Sequence, residues 1–336
     1  MVLIPISYCM PVQGESKITL LKEARIVSDE EVSQTAKCES KKNRDGGYDA
    51  HPCVVDCFAE MSYEYTGGRY INEPIRFRML KPDQIEDGKE YPAIISFHGV
   101  GESGNDNTRQ LSHIQLAMEY LAGKNKLDFF LIITQCPIDN QSWENSVSIE
   151  GKGDAPLTIA EEILEAVMNE YPIDENRVSV LGICSGGNAA WNFVSRHPDR
   201  FASAVVCSST PPTSLDLSHF TKTVFWIFAD KYDKQSLGQT QQFINTVNTS
   251  GGNAWLTPNK KGGHDTWTTA LAEYEVIGWM VMQNRMRGSP PPGVICHHRS
   301  TKELFFRFGF PILVFMTAFV FSCYRSRSHK KQGGIG

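Results

Sequence analysis

Five apolar runs of strand length recur along the middle of the chain, and they constrain its fold more than any other feature. None of them alternates regularly between polar and apolar residues. They are Ala93–Phe97, Phe129–Thr134, Val178–Ile183, Ser203–Cys207 and Val224–Phe228. A strand that is buried on both faces has no polar side, so such runs predict a parallel sheet that is covered by helices.

Helical patterns lie between these runs. In residues 159–168, pairs of apolar residues recur every four positions and glutamates lie between them, and residues 189–197 repeat the spacing. This is the period of an amphipathic helix. Strands that alternate with such helices predict an α/β fold, a mostly parallel doubly wound sheet with helices on both faces.

Shifts in composition divide the chain into one α/β domain over residues 59–286 and its flanks. Residues 1–58 are predicted to be an N-terminal extension that is partly disordered, because the charge-rich stretch 37–45 has no apolar period. Residues 287–303 are predicted to be a Pro/Gly linker, since the segment Gly288–Gly293 (GSPPPG) cannot continue a helix.

A long apolar segment, residues 304–324, follows the linker and has Arg307 as its only charge. As a helix it would rise about 31 Å, the thickness of a bilayer core, so a single C-terminal transmembrane helix is predicted. The basic tail 325–336 favours a cytoplasmic C-terminus. The first residues lack the basic start of a signal peptide, which favours a tail anchor with the domain in the cytosol. The side of the membrane that carries the domain stays open.

The overall charge excludes one class of partner. The chain has 33 basic and 38 acidic residues and a net charge of −5, so no global basic field exists for nucleic acid. Its nine cysteines show neither a disulfide framework nor the paired spacing of a zinc site. We therefore expect no nucleic-acid partner and no metal. Oligomeric state cannot be inferred from these features.

One glycine-rich segment, with the sequence GICSGG, closes a predicted strand and opens a predicted helix. In that context the pattern G-x-nucleophile-x-G is a nucleophile elbow, whose sharp turn leaves no room for side chains two residues before and after the nucleophile. Gly182 and Gly186 frame Cys184, which is therefore the predicted nucleophile. Ser185 is the alternative nucleophile, although that choice would put Ile183 where the turn needs glycine.

Two further loops follow predicted strands. The first has the sequence HGVGE, and its backbone N–H at Val100 or Gly99 would form an oxyanion hole together with the N–H of Ser185. The second places His264 directly after a pair of glycines, before the last predicted helix. This position predicts that His264 is the base that activates the nucleophile.

A carboxylate that orients the histidine is expected after the strand Val224–Phe228. Asp230 and Asp233 both lie there, and the residues alone do not choose between them. Asp265 is adjacent to His264 in the chain and is predicted to point away from its ring.

In this order, the motifs resemble those of the α/β-hydrolase superfamily, in the branch of carboxylesterases and predicted peptidases that includes feruloyl-esterase-like proteins. The resemblance covers about residues 61–285. Besides the elbow, the matching stretches are Tyr91–Glu102, Gln135–Pro137 with Trp143, Asn192–Phe201 and Gly263–Trp267. The resemblance implies that Asp233 is the acid. Cys184 departs from the serine that is usual in this branch, but the related dienelactone hydrolases use a Cys-His-Asp set on the same fold.

The resemblance, read with the tail, implies a membrane-anchored hydrolase that acts on small-molecule esters, thioesters or activated amides. Its expected mechanism uses a Cys184-His264-Asp233 triad and an acyl-enzyme intermediate, and no cofactor. The alternative is a catalytically weak or inactive member of the fold that serves as a membrane-tethered binding module.

Overall fold

The strands and helices of the chain are seen in a computed structural model. It describes residues 17–25, 41–42, 48–65, 74–117, 128–137, 143, 156–214, 216–259, 262–287 and 290–291. The strands in these ranges are β1 (Ile18–Lys22), β2 (Lys41–Lys42), β3 (Tyr48–Asp49), β4 (Ala59–Glu64), β5 (Pro74–Leu80), β6 (Tyr91–Phe97), β7 (Phe130–Thr134), β8 (Ile173–Ile183), β9 (Ser203–Cys207), β10 (Val224–Asp230) and β11 (Asn253–Asn259). The α-helices are α1 (Pro52–Asp56), α2 (Pro156–Glu170), α3 (Ser185–Arg196), α4 (Lys234–Thr249) and α5 (Val276–Met282).

Nine of the described strands form one sheet in the order β1-β4-β5-β7-β6-β8-β9-β10-β11. The six strands from β7 to β11 in this order are parallel to one another, whereas β1, β4 and β5 pair antiparallel, and β5 is also antiparallel to β7. The chain runs from β6 outward to β7 and then returns to β8 on the other side of β6. The order of the strands therefore reverses between β6 and β8, the place where α/β sheets bind ligands.

Both faces of the sheet are buried. Along β6, Ala93 and Ile95 pack in one apolar cluster and Ile94 packs in the other. The first cluster takes apolar side chains from α2, α3 and α4, and the second takes them from α1 and α5. The five apolar runs lie in β6, β7, β8, β9 and β10, which confirms the predicted mostly parallel sheet with helices on both faces.

Part of the segment that was predicted to precede the domain belongs to the fold. β1 pairs with β4 at the edge of the sheet, and Val54 of α1 is fully buried in the second cluster. The folded region thus extends N-terminally beyond residue 59.

No helix in the described part of the chain is both long and apolar enough to cross a membrane. The predicted span, residues 304–324, and the basic tail 325–336 lie outside the described residues, as does most of the linker 287–303.

Candidate active site

Cys184 stands at the end of β8 in a backbone conformation that few residues adopt. Its φ is 52° and its ψ is −118°, and α3 begins at the next residue. A side chain at positive φ is strained, and such strain is concentrated at functional sites. The thiol is half-buried at the start of α3, where the helix dipole favours negative charge.

The turn is possible because the positions two residues before and after Cys184 carry no side chain. A methyl group on Gly182 would lie 2.2 Å from the carbonyl oxygen of Gly186 and 2.8 Å from Cβ of Ala190. A methyl group on Gly186 would lie 2.1 Å from the carbonyl oxygen of Phe97 at the end of β6. Both glycines therefore allow a close approach of backbone to backbone beneath the nucleophile.

His264 lies directly against Cys184, the predicted nucleophile. Its Nε2 is 3.1 Å from Cys184 Sγ, which is hydrogen-bonding distance for a thiol and an imidazole. The loop that carries it follows β11, and Gly262 and Gly263 have φ values of 73° and 88°. The ring of Trp267 contacts the His264 ring edge to face, with 5.5 Å between the ring centres. The arrangement allows His264 to take the thiol proton.

Neither candidate carboxylate, Asp230 or Asp233, hydrogen-bonds to His264 in the described part of the chain, and Asp265 does not do so either. Asp233 begins α4, and its Oδ1 accepts the backbone N–H of Ser236 at 2.9 Å. Asp265 accepts the backbone N–H of Thr268 at 3.1 Å. Asp230 accepts the N–H of Tyr232 at 2.9 Å.

Asp230 is the carboxylate that borders the loop of His264. A methyl group built on Gly262 would lie 3.4 Å from its Oδ1. The thiol and the imidazole are therefore assembled, whereas the acid predicted at Asp233 is engaged as a helix cap.

The HGVGE loop lies against the nucleophile from the side of β6. A methyl group on Gly99 would lie only 3.4 Å from Cys184 Cβ. The carboxyl of Glu102 is buried in this loop and receives hydrogen bonds from the N–H of Gly99, from its own N–H and from the Ser112 hydroxyl. Burial raises the pKa of Glu102, and these hydrogen bonds oppose the rise.

The Glu102 carboxyl lies beside Gly99, one of the two predicted oxyanion donors in this loop. The N–H of Gly99 is one of the groups that act on this carboxyl and oppose the rise of its pKa. The N–H groups of Val100 and Ser185 have no hydrogen-bond acceptor within the described ranges. The geometry leaves the N–H groups of Val100 and Ser185 available for the predicted oxyanion hole.

His98 holds the loop in place and was not singled out from the sequence as more than part of a turn. Its Nδ1–H donates to the carbonyl of Gly99 at 2.6 Å, and its Nε2 accepts the N–H of Cys136 at 2.9 Å. The indole of Trp143 donates to the His98 carbonyl at 3.1 Å. Burial lowers the pKa of His98 to about 4, so the ring is neutral and both nitrogens have fixed roles. The ring ties the end of β6 to the end of β7.

No group of three or more His, Cys, Asp or Glu side chains in the described ranges is arranged to bind a metal ion.

Comparisons with known proteins agree with this fold. The family described as "Putative esterase" matches residues 68–273 of the 336, a span that contains Cys184, Asp230, Asp233 and His264. No curated protein sequence matches the chain.

Solved structures of hydrolases share the architecture. A thermostable esterase superposes with a TM-score of 0.58 and 20% identity, over 74% of this chain and 71% of its own. An acylaminoacyl peptidase from Pyrococcus horikoshii superposes with a TM-score of 0.51 and 13% identity, over 70% of this chain and 43% of its own. At these identities the structures show the fold, and the family match over more than half of the chain shows the membership. The chain belongs to the esterase family of the α/β-hydrolase superfamily and is a hydrolase that acts on ester bonds.

Proposed function

We propose that this esterase cleaves carboxylic esters and thioesters with Cys184 as its nucleophile and His264 as its base, through an acyl-enzyme intermediate. The observation that carries the proposal is the 3.1 Å separation of Cys184 Sγ and His264 Nε2 at a strained elbow. A nucleophile in hydrogen-bond contact with a base is the signature of covalent catalysis. Ser185 is one residue further on, at the first position of α3, and its backbone does not have the strained conformation.

In the first half of the reaction, His264 Nε2 takes the proton of Cys184 Sγ. The thiolate attacks the carbonyl carbon, a C–S bond forms, and the carbonyl electron pair moves onto oxygen. The N–H groups of Ser185 and Val100 donate to this oxyanion. When the pair returns, the bond to the alcohol or thiol breaks, and the leaving group takes the proton from His264.

In the second half, His264 takes a proton from water, and the hydroxide attacks the acyl carbon. The C–S bond then breaks, and the thiolate regains its proton from His264, so that the products are a carboxylic acid and the free enzyme. A thiolate leaves more readily than an amine, so ordinary peptide amides would return to substrate. Esters, thioesters and activated amides are therefore the proposed substrates.

A carboxylate would hold His264 in the required tautomer. We assign this role to Asp233, following the resemblance to hydrolases, with Asp230 as the alternative because it borders Gly262. Asp233 Oδ1 caps α4 by accepting the N–H of Ser236, and its second oxygen, Oδ2, takes no part in this cap.

We also propose that residues 304–324 tether the enzyme to a membrane, with the basic tail beyond them. Extraction of expressed protein with alkaline carbonate tests the tether, and release into the supernatant would contradict it. Protease protection of an epitope at either end determines which side carries the catalytic domain.

The catalytic proposal is tested with the full-length chain and short-chain p-nitrophenyl esters. Cys184→Ala and His264→Ala should each lower kcat/KM at least about 100-fold, because each removes a reacting group. Ser185→Ala removes the alternative nucleophile but keeps the backbone N–H, and most of the activity should remain. If the parent chain and the first two variants have equal rates, the protein is a binding module rather than a cysteine hydrolase.

Labelling separates the two candidate nucleophiles independently of turnover. Iodoacetamide should modify Cys184 and abolish turnover, whereas a fluorophosphonate should leave turnover intact. Mapping of a fluorophosphonate to Ser185, with loss of activity, would overturn the assignment of Cys184.

A further inference from the structure

Ser208, directly after β9, has the second unusual backbone at the carboxyl edge of the sheet. Its φ is 54°, close to the 52° of Cys184 at the end of the neighbouring strand β8. Glycine would adopt this conformation without strain, and alanine would suffer the same strain as serine. Glycine would relieve the strain at this position, and the hydroxyl is what serine adds in its place.

The Ser208 hydroxyl binds the loop that carries His264. Its Oγ–H donates to the backbone carbonyl of His264, and Oγ lies 2.8 Å from Thr266 Oγ1. The backbone N–H of Thr266 also approaches Ser208 Oγ, at 3.4 Å. One side chain thus contacts both His264 and the residue two positions after it.

The anchor beneath this contact is rigid. Thr266 is fully buried, and its hydroxyl donates to the carbonyl of Phe228 in β10 at 3.2 Å. The same carbonyl accepts the N–H of Ser208 at 3.0 Å. Ser208 is therefore held by its own backbone to the strand that also anchors the histidine loop.

The residue before Ser208 holds the nucleophile. The N–H of Cys184 donates to the carbonyl of Cys207 at 2.9 Å. Two consecutive residues at the end of β9 thus contact both members of the reacting pair, Cys207 through its backbone and Ser208 through its side chain. The side chain of Cys207 is fully buried, and burial raises the pKa of its thiol, so it remains protonated.

We propose that Ser208 is a positioning residue that sets the distance between Cys184 Sγ and His264 Nε2. The inference rests on the proposed function of that pair. A second contact holds the outer parts of the loop, since Asn259 Nδ2 donates to the carbonyls of Gly262 at 3.3 Å and Asp265 at 3.0 Å. Ser208 is the side chain that contacts His264 itself: its hydroxyl donates to the His264 carbonyl, which also accepts the N–H of Thr266 at 2.9 Å, and His264 is otherwise exposed.

The test compares Ser208→Gly with Ser208→Ala in the full-length chain. Glycine removes the hydroxyl and the strain together, and alanine removes the hydroxyl alone. Both should lower kcat for p-nitrophenyl esters by about tenfold or more while KM changes by less than about twofold, because substrate contacts stay intact and only the base moves. Full activity in Ser208→Gly would overturn the proposal.

A matched control replaces another strained residue with glycine. Glu275 has φ 49°, is exposed, and makes no side-chain cap to α5. Glu275→Gly should leave kcat unchanged. An equal loss of kcat in Glu275→Gly and Ser208→Gly would mean that the loss comes from the backbone and not from the hydroxyl.

Alkylation of Cys184 separates a positioning role from a merely structural one, and it needs no substrate. The rate of iodoacetamide modification is followed on the Cys184 peptide by mass spectrometry at pH 7 and pH 10. An ordinary thiol is almost fully ionised at pH 10, whereas at pH 7 only a few per cent is thiolate unless a nearby base takes the proton. Ser208→Gly should therefore react about as fast as the parent chain at pH 10 and several-fold more slowly at pH 7.

The result of alkylation distinguishes failure of the inference from failure of the proposed function. An unchanged ratio of the two rates in Ser208→Gly would overturn the positioning role, whatever happens to turnover. If His264→Ala also leaves this ratio unchanged, the proposed pair of Cys184 and His264 fails as well.

Discussion

The elbow makes a quantitative prediction for Gly186→Ala. The new methyl group would lie 2.1 Å from the carbonyl oxygen of Phe97 and 2.5 Å from that of His98. Carbon and carbonyl oxygen do not approach closer than about 3.3 Å without repulsion, so the two chains must separate by about 1 Å. Phe97 is fully buried and pairs in register with Gly182 in β8, and therefore it cannot move alone.

This displacement has a cost in stability and a larger cost in activity. Overpacking a buried site destabilises by about 1–3 kcal/mol. The end of β6 also leads into the HGVGE loop, which carries the proposed oxyanion donor, and a misplacement of about 1 Å at a reacting group costs on the order of 100-fold in rate. We expect the free energy of unfolding to fall by about 2 kcal/mol and kcat/KM to fall about 100-fold.

Urea unfolding and p-nitrophenyl ester turnover measure the two effects, and Gly238→Ala is the matched control. Gly238 lies inside α4 with nothing within 4 Å of the added methyl group and no positive φ. This substitution should stabilise by about 0.5–1 kcal/mol, because alanine favours a helix, and should not change turnover. Wild-type stability and turnover in Gly186→Ala would refute the close approach of β6 and the elbow.

Two further predictions concern protonation and the acid. Burial lowers the pKa of His98 to about 4 and of His113 to about 3, so between pH 6.5 and those values the unfolded chain binds protons that the folded chain does not. The free energy of unfolding should therefore fall as the pH drops from 6.5 to 4, by up to about 1.4 kcal/mol per pH unit for each histidine. Urea unfolding at a series of pH values measures this slope, and His113→Gln should reduce it. Asp233→Asn should lower kcat by about 100-fold or more and Asp230→Asn by less. The reverse ranking in ester assays makes Asp230 the acid, and wild-type rates in both variants would contradict an acid after β10.

The parallel part of the sheet is the part of the fold that the sequence predicts well. Its strands are buried on both faces, and continuous apolar runs are a direct consequence. β8 begins at Ile173, five residues before the predicted run, because Asp174, Glu175 and Arg177 interrupt the apolar pattern there. β11 has no apolar run, since it pairs only with β10 and tolerates Pro258 at the edge of the sheet.

In the candidate site, too, the features that depend on local sequence can be predicted, and those that depend on distant contacts cannot. Cys184 and His264 can be named from the sequence because glycines at fixed offsets produce the elbow and the loop. The choice between Asp230 and Asp233 cannot be made in this way, because it depends on which oxygen of each carboxylate is already engaged by a cap. The close approach of the buried Glu102 carboxyl to Gly99 is likewise invisible without coordinates.

Ser208 shows why the missing part of the site is non-local. No motif surrounds it, and its contacts join β9 to a loop more than fifty residues away. It becomes a neighbour of Cys184 and His264 only because the sheet order places β9 between β8 and β10. Sequence rules assign positive φ to glycine, yet Cys184 and Ser208 both break that rule at adjacent strand ends. Two strained side chains at neighbouring strand ends are consistent with the proposal that the Ser208 hydroxyl positions His264 against Cys184.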